Sequence, residues 1–281
     1  MKTVLKGLIT LGVSLVTSHV LAQEVTSSKF KKVVWVVFEN TNYQNVMKQP
    51  DFANITKLGA TLQKMSGETH PSQGNYVAMV AGSVMGVAND KNIDIAGNHI
   101  GDLLEKANLN WHVYAEDYPG NCYTGAKSGK YARKHVPFLS FTNVTKKPSR
   151  CAKVDKADSF FSDLEQNKHA EFSMYIPNLN DDGHDTGVSY AGHWMSTKFG
   201  SILSNIAKYP DTLFILTFDE NEGTSGNQIY TVLIGSHVVP GSVNTQAVNH
   251  ISLLKMIEDE FKIGNLGRQD ASASVITGIW K

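Results

Sequence analysis

Two strongly apolar segments, far apart in the sequence, each end in a pair of oxygen-bearing side chains. The run VVWVVF leads into Glu39 and Asn40, and the run LFILTF leads into Asp219 and Glu220. Continuous Val, Ile, Leu and Phe runs of this length are typical of strands buried on both faces, as in a parallel sheet covered by helices. Ligands of such sheets bind beyond the carboxyl ends of the strands. The four side chains are therefore expected to share one edge, where their oxygens could hold a cation.

The rest of the chain alternates between strand and helix patterns, which predicts a mostly parallel sheet between helical layers. The further predicted strands cover residues 60–65, 111–115, 172–176 and 229–234. The predicted helices cover residues 52–58, 75–81, 98–107, 159–167, 192–207 and 251–261. Residues 118–156 have no sustained period and contain both cysteines, so they are expected to form a loop-rich excursion over the domain.

The first 22 residues have the pattern of a secretory signal peptide. Lys2 and Lys6 precede a short apolar stretch, and a small-residue cleavage site ends at Ala22. The apolar stretch is shorter than the roughly 20 residues that a membrane span needs. Removal of the signal leaves 281 − 22 = 259 residues, enough for a single domain over residues 23–281. The protein is therefore expected to be exported to the periplasm or the medium, without a stable membrane anchor.

Charge and cysteine content narrow the possible functions further. The formal net charge of zero becomes −2 when Lys2 and Lys6 are removed, so no basic field favours binding to nucleic acid. The sequence contains two cysteines, Cys122 and Cys151. In an exported chain they are expected to form one disulfide, because two cysteines without nearby ligand spacing make a poor zinc site.

Ser72 is the candidate nucleophile. It lies at the predicted start of a helix, where free backbone N–H groups favour a phosphate or an alkoxide. A nearby divalent ion would lower the pKa of its hydroxyl. The alternative is an ordinary helix N-cap, for which serine is a preferred residue. Likewise, the two strand-end pairs could simply cap the turns that follow them.

Two loop histidines are candidates for contacting a phosphoryl oxygen or for protonating a leaving group. They are His184 and His135, both expected on the same edge of the sheet, and histidine titrates near neutral pH. The alternative for each is an ordinary surface histidine. The weaker candidates are His70, which could serve only to shape a turn, together with His193 and His250.

Several common site motifs do not fit the sequence. The acidic stretch after residue 218 lacks the alternating ligands and the late bidentate Glu of a calcium-binding loop. No glycine-rich dinucleotide motif, no Walker-type phosphate loop and no Gly-x-Ser-x-Gly elbow is present. Nucleotide-cofactor binding and the usual lipase or esterase arrangement are therefore disfavoured.

Six motifs in order along the chain resemble the phosphoesterase family, which contains bacterial and fungal acid phosphatases and phosphatidylcholine-type phospholipases C. This family lies within the alkaline phosphatase superfamily, and the resemblance is closest to its acid phosphatase branch. The motifs are FENTNY (38–43), THPSQGNY (69–76), YAED (114–117), KHVPF (134–138), DGHD (182–185) and TFDE (217–220). The resemblance covers nearly the whole mature chain.

The resemblance implies a three-layer α/β/α sandwich and a serine or threonine that becomes phosphorylated. On this basis Ser72 is the nucleophile and a metal contact, Asn75 contacts phosphate, and His184 and His135 are candidates for substrate contact or acid catalysis. One divalent ion, of Mg, Ca, Mn or Zn, is implied, with Glu39, Asn40, Asp219 and Glu220 as its further ligands. The chain departs from the family at Gly74, where proline is usual; this change removes no functional group.

Three functions are compatible with the sequence. The leading hypothesis is hydrolysis of small phosphate monoesters through a covalent phosphoserine. The second is phospholipase C-type hydrolysis of phospholipid diesters at the same centre, although no long amphipathic apolar helix and no separate membrane-binding domain is evident. The third is a secreted metal-binding module without catalytic activity.

Overall fold

The computed structural model describes Met1 and residues 28–281. Apart from Met1, the predicted signal peptide (1–22) lies outside the described residues. Within the part of the chain that the structure describes, no helix combines the length and apolar character needed to cross a membrane.

The centre of the molecule is an eight-stranded, mostly parallel sheet. The strands are β1 (Lys32–Phe38), β2 (Ala60–Ser66), β3 (Trp111–Ala115), β4 (Lys127–Ser128), β5 (Tyr131–Ala132), β6 (Val154–Lys156), β7 (Phe172–Ile176), β8 (Thr212–Phe218), β9 (Thr231–Ile234) and β10 (Val243–Asn249). The order across the sheet is β10-β2-β9-β8-β1-β7-β3-β6, and β4 and β5 form a separate hairpin. Only β9 pairs antiparallel to its neighbours in this described sheet. The predicted sheet type is confirmed.

Helices cover both faces of the sheet, which confirms the three-layer α/β/α sandwich. The helices are α1 (Tyr43–Lys48), α2 (Pro50–Thr56), α3 (Gln73–Ala81), α4 (Ile100–Lys106), α5 (Thr142–Thr145), α6 (Pro148–Cys151), α7 (Phe160–Glu165), α8 (Val188–Ser204) and α9 (His250–Phe261). Helix α2 packs against α1 and α8, whereas α3 packs against α9 and α4. Short 3₁₀ turns connect several of these elements.

The two apolar runs form adjacent central strands. In the parallel pairing of β1 with β8, Phe38 lies opposite Phe218, and their rings stack with centroids 5.3 Å apart. Phe52 of α2 packs against both rings, and Trp194 of α8 packs against Phe38. Such aromatic contacts add to the stabilisation that burial provides. This cluster fixes the strand ends from which the predicted ligands project.

Two strands of the central sheet, β10 and β6, were not predicted, nor was the β4–β5 hairpin. Most side chains of β10 are exposed, and few of its buried side chains are apolar. Its sequence therefore lacks the pattern of a strand. Strand β6 lies within residues 118–156, which contain short helices and an edge strand rather than loop alone. Phe138 from this segment is fully buried and stacks on Trp111 with centroids 4.4 Å apart. The expected excursion therefore contributes to the core.

Cys122 and Cys151 form a disulfide with Cα atoms 5.5 Å apart. The two cysteines are 29 residues apart in the sequence, and the disulfide links the segment after β3 to α6. A loop of this length corresponds to a stabilisation of about 3 to 4 kcal/mol, through the restricted unfolded chain.

A buried histidine makes the stability of the fold sensitive to acid. His99 caps α4, and burial lowers the pKa of its side chain to about 4, although Asp102 opposes the change. Histidine in an unfolded chain has a pKa of about 6.5. Between these values the unfolded chain takes up a proton that the native chain does not, so the free energy of unfolding falls as pH falls from about 6.5 to about 4.

We therefore expect His99→Asn, which keeps a capping side chain, to reduce this pH dependence. Urea unfolding at pH 7 and pH 5 should show a loss of about 2 kcal/mol attributable to His99 in the wild type. His193→Asn is the control, because His193 is exposed on α8. An unchanged slope in His99→Asn would show that His99 does not cause the acid sensitivity.

Candidate active site

The ends of β1 and β8 bring the two predicted ligand pairs together. The backbone N–H of Asp219 donates to the carbonyl oxygen of Phe38 at 2.9 Å, so the parallel ladder continues to the first residue after β8. Glu39 and Asp219 are fully buried, and Glu220 is 2% exposed. Three carboxylates thus lie at one edge of the sheet with little access to water.

Ser72 lies at the start of α3 but does not cap it. Its backbone is helical, with φ −43° and ψ −49°, and its side chain makes no capping hydrogen bond. Instead, its hydroxyl oxygen is 3.3 Å from Oε2 of Glu39 and 3.2 Å from Oε1 of Glu220. The geometry therefore argues against an ordinary N-cap and places the hydroxyl among the carboxylates.

The two candidate asparagines also contact this centre. Nδ2 of Asn40 donates to Oε1 of Glu220 at 3.3 Å, so the amide would have to turn by half a revolution to present its oxygen to a cation. Asn75 is held from behind, because its Oδ1 accepts hydrogen bonds from the N–H groups of Glu68 and Thr69 at 2.8 and 3.0 Å. Its Nδ2 is thereby directed to Oε2 of Glu220, at 3.3 Å.

The carboxylates differ in their affinity for protons. Burial and the neighbouring charges of Glu39 and Glu220 raise the pKa of Asp219 well above its usual value. Burial and Glu39 raise the pKa of Glu220 to about 7. Burial alone would also raise the pKa of Glu39, but the adjacent His135 holds it at about 2. Without a cation, negative charge on Asp219 and Glu220 is therefore unfavourable, whereas Glu39 is held as an anion by His135.

The donor set fits a divalent cation by its chemistry. Both carboxylate oxygens of Asp219 are buried and have no hydrogen-bond partner, which is costly unless something else neutralises them. Carboxylate, amide and hydroxyl oxygens suit Mg²⁺, Ca²⁺ or Mn²⁺. Among residues 28–281, however, no group of three or more His, Cys, Asp or Glu side chains is already arranged as a metal site.

His135 lies within the candidate centre, beside Glu39. His135 is 1% exposed, with Nε2 2.7 Å from Oε1 of Glu39 and Nδ1 3.4 Å from Oδ2 of Asp182. Its ring stacks on Tyr76 with centroids 4.8 Å apart. Burial alone would lower the pKa of His135, but the two carboxylates raise it to about 9. Both ring nitrogens therefore face carboxylates, and His135 is placed to hold Glu39; a role for His135 toward a substrate stays a prediction.

His184 lies on the loop after β7, as expected, but it does not contact Ser72. Its side chain is 37% exposed and Nδ1 lies 2.8 Å from Oδ1 of Asp185. Its backbone N–H donates to Oδ1 of Asp182, the residue that also contacts His135. A role for His184 toward a substrate therefore stays a prediction.

Two side chains that the sequence reasoning did not assign to the centre lie beside it. Nζ of Lys134 is 3.5 Å from the hydroxyl oxygen of Ser72. Nδ1 of His70 is 2.9 Å from Oε2 of Glu220, and the His70 side chain is 40% exposed. His70 is two residues before Ser72 in the motif THPSQGNY, and Lys134 directly precedes His135 in the motif KHVPF. This closeness in sequence to candidate site residues could have indicated their place in the centre.

His250 and Gly74 have structural roles. His250 is fully buried; Nδ1 lies 2.6 Å from Oε2 of Glu68 and Nε2 lies 2.9 Å from the carbonyl oxygen of Phe218. It therefore ties the end of β8 to the segment that holds Asn75. Gly74 lies in the first turn of α3, where an added Cβ would come within 2.5 Å of Cγ2 of Thr69.

Comparison with known proteins is consistent with this geometry. A sequence profile of the Phosphoesterase family matches residues 48–264. The chain belongs to the phosphoesterase family. The matched range includes Ser72, Asp219 and Glu220, whereas Glu39 and Asn40 precede it. The family predicted from the six motifs is thereby confirmed.

Individual relatives agree with the family. A probable acid phosphatase of Kluyveromyces lactis is 31% identical over 271 residues, covering 91% of this chain and 64% of the relative. A phosphatidylinositol-3-phosphatase of Mycobacterium tuberculosis is 33% identical over 257 residues, covering 89% and 83%. The chain spans 58% to 64% of the length of three fungal acid phosphatases that it matches.

Solved structures show the same fold. A protein of the alkaline phosphatase superfamily from Vibrio parahaemolyticus superposes with a TM-score of 0.59 at 14% identity. The superposition covers 88% of this chain and 71% of the other. The predicted superfamily fold is thus confirmed.

Proposed function

We propose that this protein hydrolyses phosphate monoesters in the presence of a divalent cation, with Ser72 as the nucleophile. The observation that carries the proposal is the Ser72 hydroxyl, which does not cap its helix and lies within 3.3 Å of both Glu39 and Glu220. Membership of the phosphoesterase family and relatives named acid phosphatase support the reaction class.

Glu39, Asn40, Asp219 and Glu220 would hold the cation, together with the Ser72 oxygen. When bound, the divalent ion neutralises the carboxylates and polarises the phosphoryl group. The protein itself orients the ligands: His135 positions Glu39, and the β1–β8 ladder positions Asp219. The Nδ2 group of Asn75 is directed into the centre, where it can donate to a non-bridging oxygen.

The reaction proceeds by two displacements at phosphorus. Ser72 transfers its proton to an adjacent carboxylate, such as that of Glu220, and its oxygen forms a bond to phosphorus while the ester P–O bond breaks. The leaving oxygen takes a proton from a partly exposed histidine, His70 or His184. Water then attacks phosphorus, returning a proton to the histidine; the Ser72–phosphorus bond breaks and Ser72 regains its proton. Phosphate is released.

The test is a comparison of substrates with the purified protein. We expect turnover of 4-nitrophenyl phosphate that is lost on chelation and restored by one of Mg²⁺, Ca²⁺, Mn²⁺ or Zn²⁺. Turnover of phosphatidylcholine but not of the aryl monoester would instead show a phospholipase C-type activity. Retained metal binding with no hydrolysis of either substrate would show an inactive metal-binding module.

We also propose that residues 1–22 direct export and that residues 23–281 form one phosphoesterase domain. The Cys122–Cys151 disulfide supports export, because disulfides persist mainly in oxidising compartments. Mass spectrometry of the mature protein tests the proposal: an N-terminus at Gln23 is expected, and a retained Met1 in the exported fraction would contradict it.

A further inference from the structure

Lys134 is a charged side chain next to the candidate nucleophile. Its Nζ lies 3.5 Å from the Ser72 hydroxyl oxygen and 2.8 Å from Oδ2 of Asp90. The Lys134 side chain is only 16% exposed. Among residues 28–281, no other lysine or arginine nitrogen hydrogen-bonds to Ser72, Asn75 or the three carboxylates around them. The ammonium group is therefore close enough to Ser72 to contact a phosphoryl group bonded to it.

Asp90 fixes the direction of this lysine. Oδ2 of Asp90 binds Nζ of Lys134, and its Oδ1 accepts a hydrogen bond from the backbone N–H of Gln73 at 3.1 Å. Gln73 is the first residue of α3 and follows Ser72 directly. The lysine is thereby anchored to the same helix turn as the nucleophile. Because an ammonium group has three donors, the bond to Asp90 leaves others free for a ligand.

The charge of the centre shows what such a donor would select. At neutral pH the cationic His135 balances the charge of Glu39, and a divalent cation would balance the charges of Asp219 and Glu220. A monoester brings a phosphoryl group with two negative charges, whereas a diester brings one. An added positive charge attracts the dianion about twice as strongly at equal distance, because the Coulomb energy scales with the product of the charges.

We propose that Lys134 is a catalytic residue that binds the non-bridging phosphoryl oxygens, and that its charge, aimed by Asp90, selects dianionic monoesters over monoanionic diesters. This inference rests on the function proposed above. It assigns a physical cause to the monoester preference, which the family alone leaves open because the family also contains diesterases. Asp90 acts through Lys134 and is a positioning residue.

The experiment compares 4-nitrophenyl phosphate with bis(4-nitrophenyl) phosphate. For Lys134→Met we expect kcat/KM to fall about 10²- to 10³-fold for the monoester and about tenfold or less for the diester. The ratio of kcat/KM for the monoester to kcat/KM for the diester measures the selectivity. Asp90→Asn should lower this ratio by a smaller factor than Lys134→Met does, mainly by raising KM for the monoester. Lys134→Arg should restore part of the ratio, because it keeps the charge.

The matched control is Lys255→Met. Lys255 is similarly shielded, with 18% of its side chain exposed, and it pairs with Asp259 at 3.1 Å on the far end of α9. This variant should keep the wild-type ratio of the two substrates. Inhibition by inorganic phosphate provides a second measurement: its inhibition constant should rise at least about tenfold in Lys134→Met and stay unchanged in Lys255→Met.

The outcomes separate the two proposals. If the wild type hydrolyses neither substrate, the proposed function fails. If the wild type hydrolyses the monoester and Lys134→Met keeps the wild-type ratio and phosphate inhibition, only the role of Lys134 is wrong. An equal loss for both substrates would also overturn the selectivity. Should Lys134→Met fail to fold, Lys134→Gln, which can still donate to Asp90, and Lys134→Arg give the same comparison.

Discussion

Replacing Ser72 by alanine should abolish turnover of a phosphate monoester. We expect kcat to fall by about 10⁴- to 10⁶-fold, the range found when a nucleophile that acts in concert with its neighbours is removed. The fold should persist, because the Ser72 side chain makes no capping hydrogen bond to α3. Steady-state assay with 4-nitrophenyl phosphate measures the loss, and circular dichroism checks the fold.

Ser140→Ala is the matched control. Ser140 is 1% exposed, and its hydroxyl is buried without a hydrogen-bond partner, so the substitution removes a buried hydroxyl outside the centre. Its activity should equal that of the wild type. Full activity in Ser72→Ala would rule out Ser72 as the nucleophile, and an equal loss in both variants would indicate a structural cause.

Asp219→Asn should have opposite effects on stability and on activity. Without metal, at pH 8, removing one of three buried carboxylates should raise the free energy of unfolding, since burial and the neighbouring carboxylates raise the pKa of Asp219 and make its ionisation unfavourable. With metal bound, the wild type should instead be more stable than Asp219→Asn. At about 100 times the dissociation constant, the cation should stabilise the wild type by about 3 kcal/mol and the variant much less.

Urea unfolding with and without each of Mg²⁺, Ca²⁺, Mn²⁺ and Zn²⁺ measures this reversal, and kcat should fall at least about 10²-fold in the variant. Glu258→Gln is the control. Burial and the neighbouring Asp270 raise the pKa of Glu258 to about 8, so this substitution also relieves a buried carboxyl group. Glu258→Gln should raise the free energy of unfolding, relative to the wild type, by the same amount with and without metal. Metal stabilisation of Asp219→Asn equal to that of the wild type would contradict the ligand assignment.

The strand-end pairs could be predicted because their signal is local. A continuous apolar run identifies a buried strand, and the side chains that follow it must lie at the edge of a parallel sheet. The structure brings Glu39, Ser72, Asp219 and Glu220 together as this reasoning requires. Strand β10 could not be predicted in this way, since its polar sequence is held in the sheet by pairing with β2.

The side-chain neighbours of the two loop histidines could not be predicted from the sequence. His135 and His184 look alike in the sequence, as histidines in predicted loops close to a proline or a glycine. Their surroundings differ because Asp182 and Glu39, both remote from His135 in sequence, enclose His135, while His184 stays partly exposed. In the same way, the contact of Lys134 with Ser72 depends on Asp90, which carries no local motif. Side-chain neighbours across loops are not fixed by the pattern of either loop.

The most direct test of the central claim is to trap the covalent intermediate. The metal-loaded protein is mixed with 4-nitrophenyl phosphate, quenched in acid within the first turnover, digested and analysed by mass spectrometry. The peptide that contains Ser72 should carry one phosphoryl group at Ser72, and this label should be absent from Ser72→Ala. Hydrolysis with the phosphoryl group on another residue, or with net inversion at phosphorus and no labelled peptide, would contradict the account.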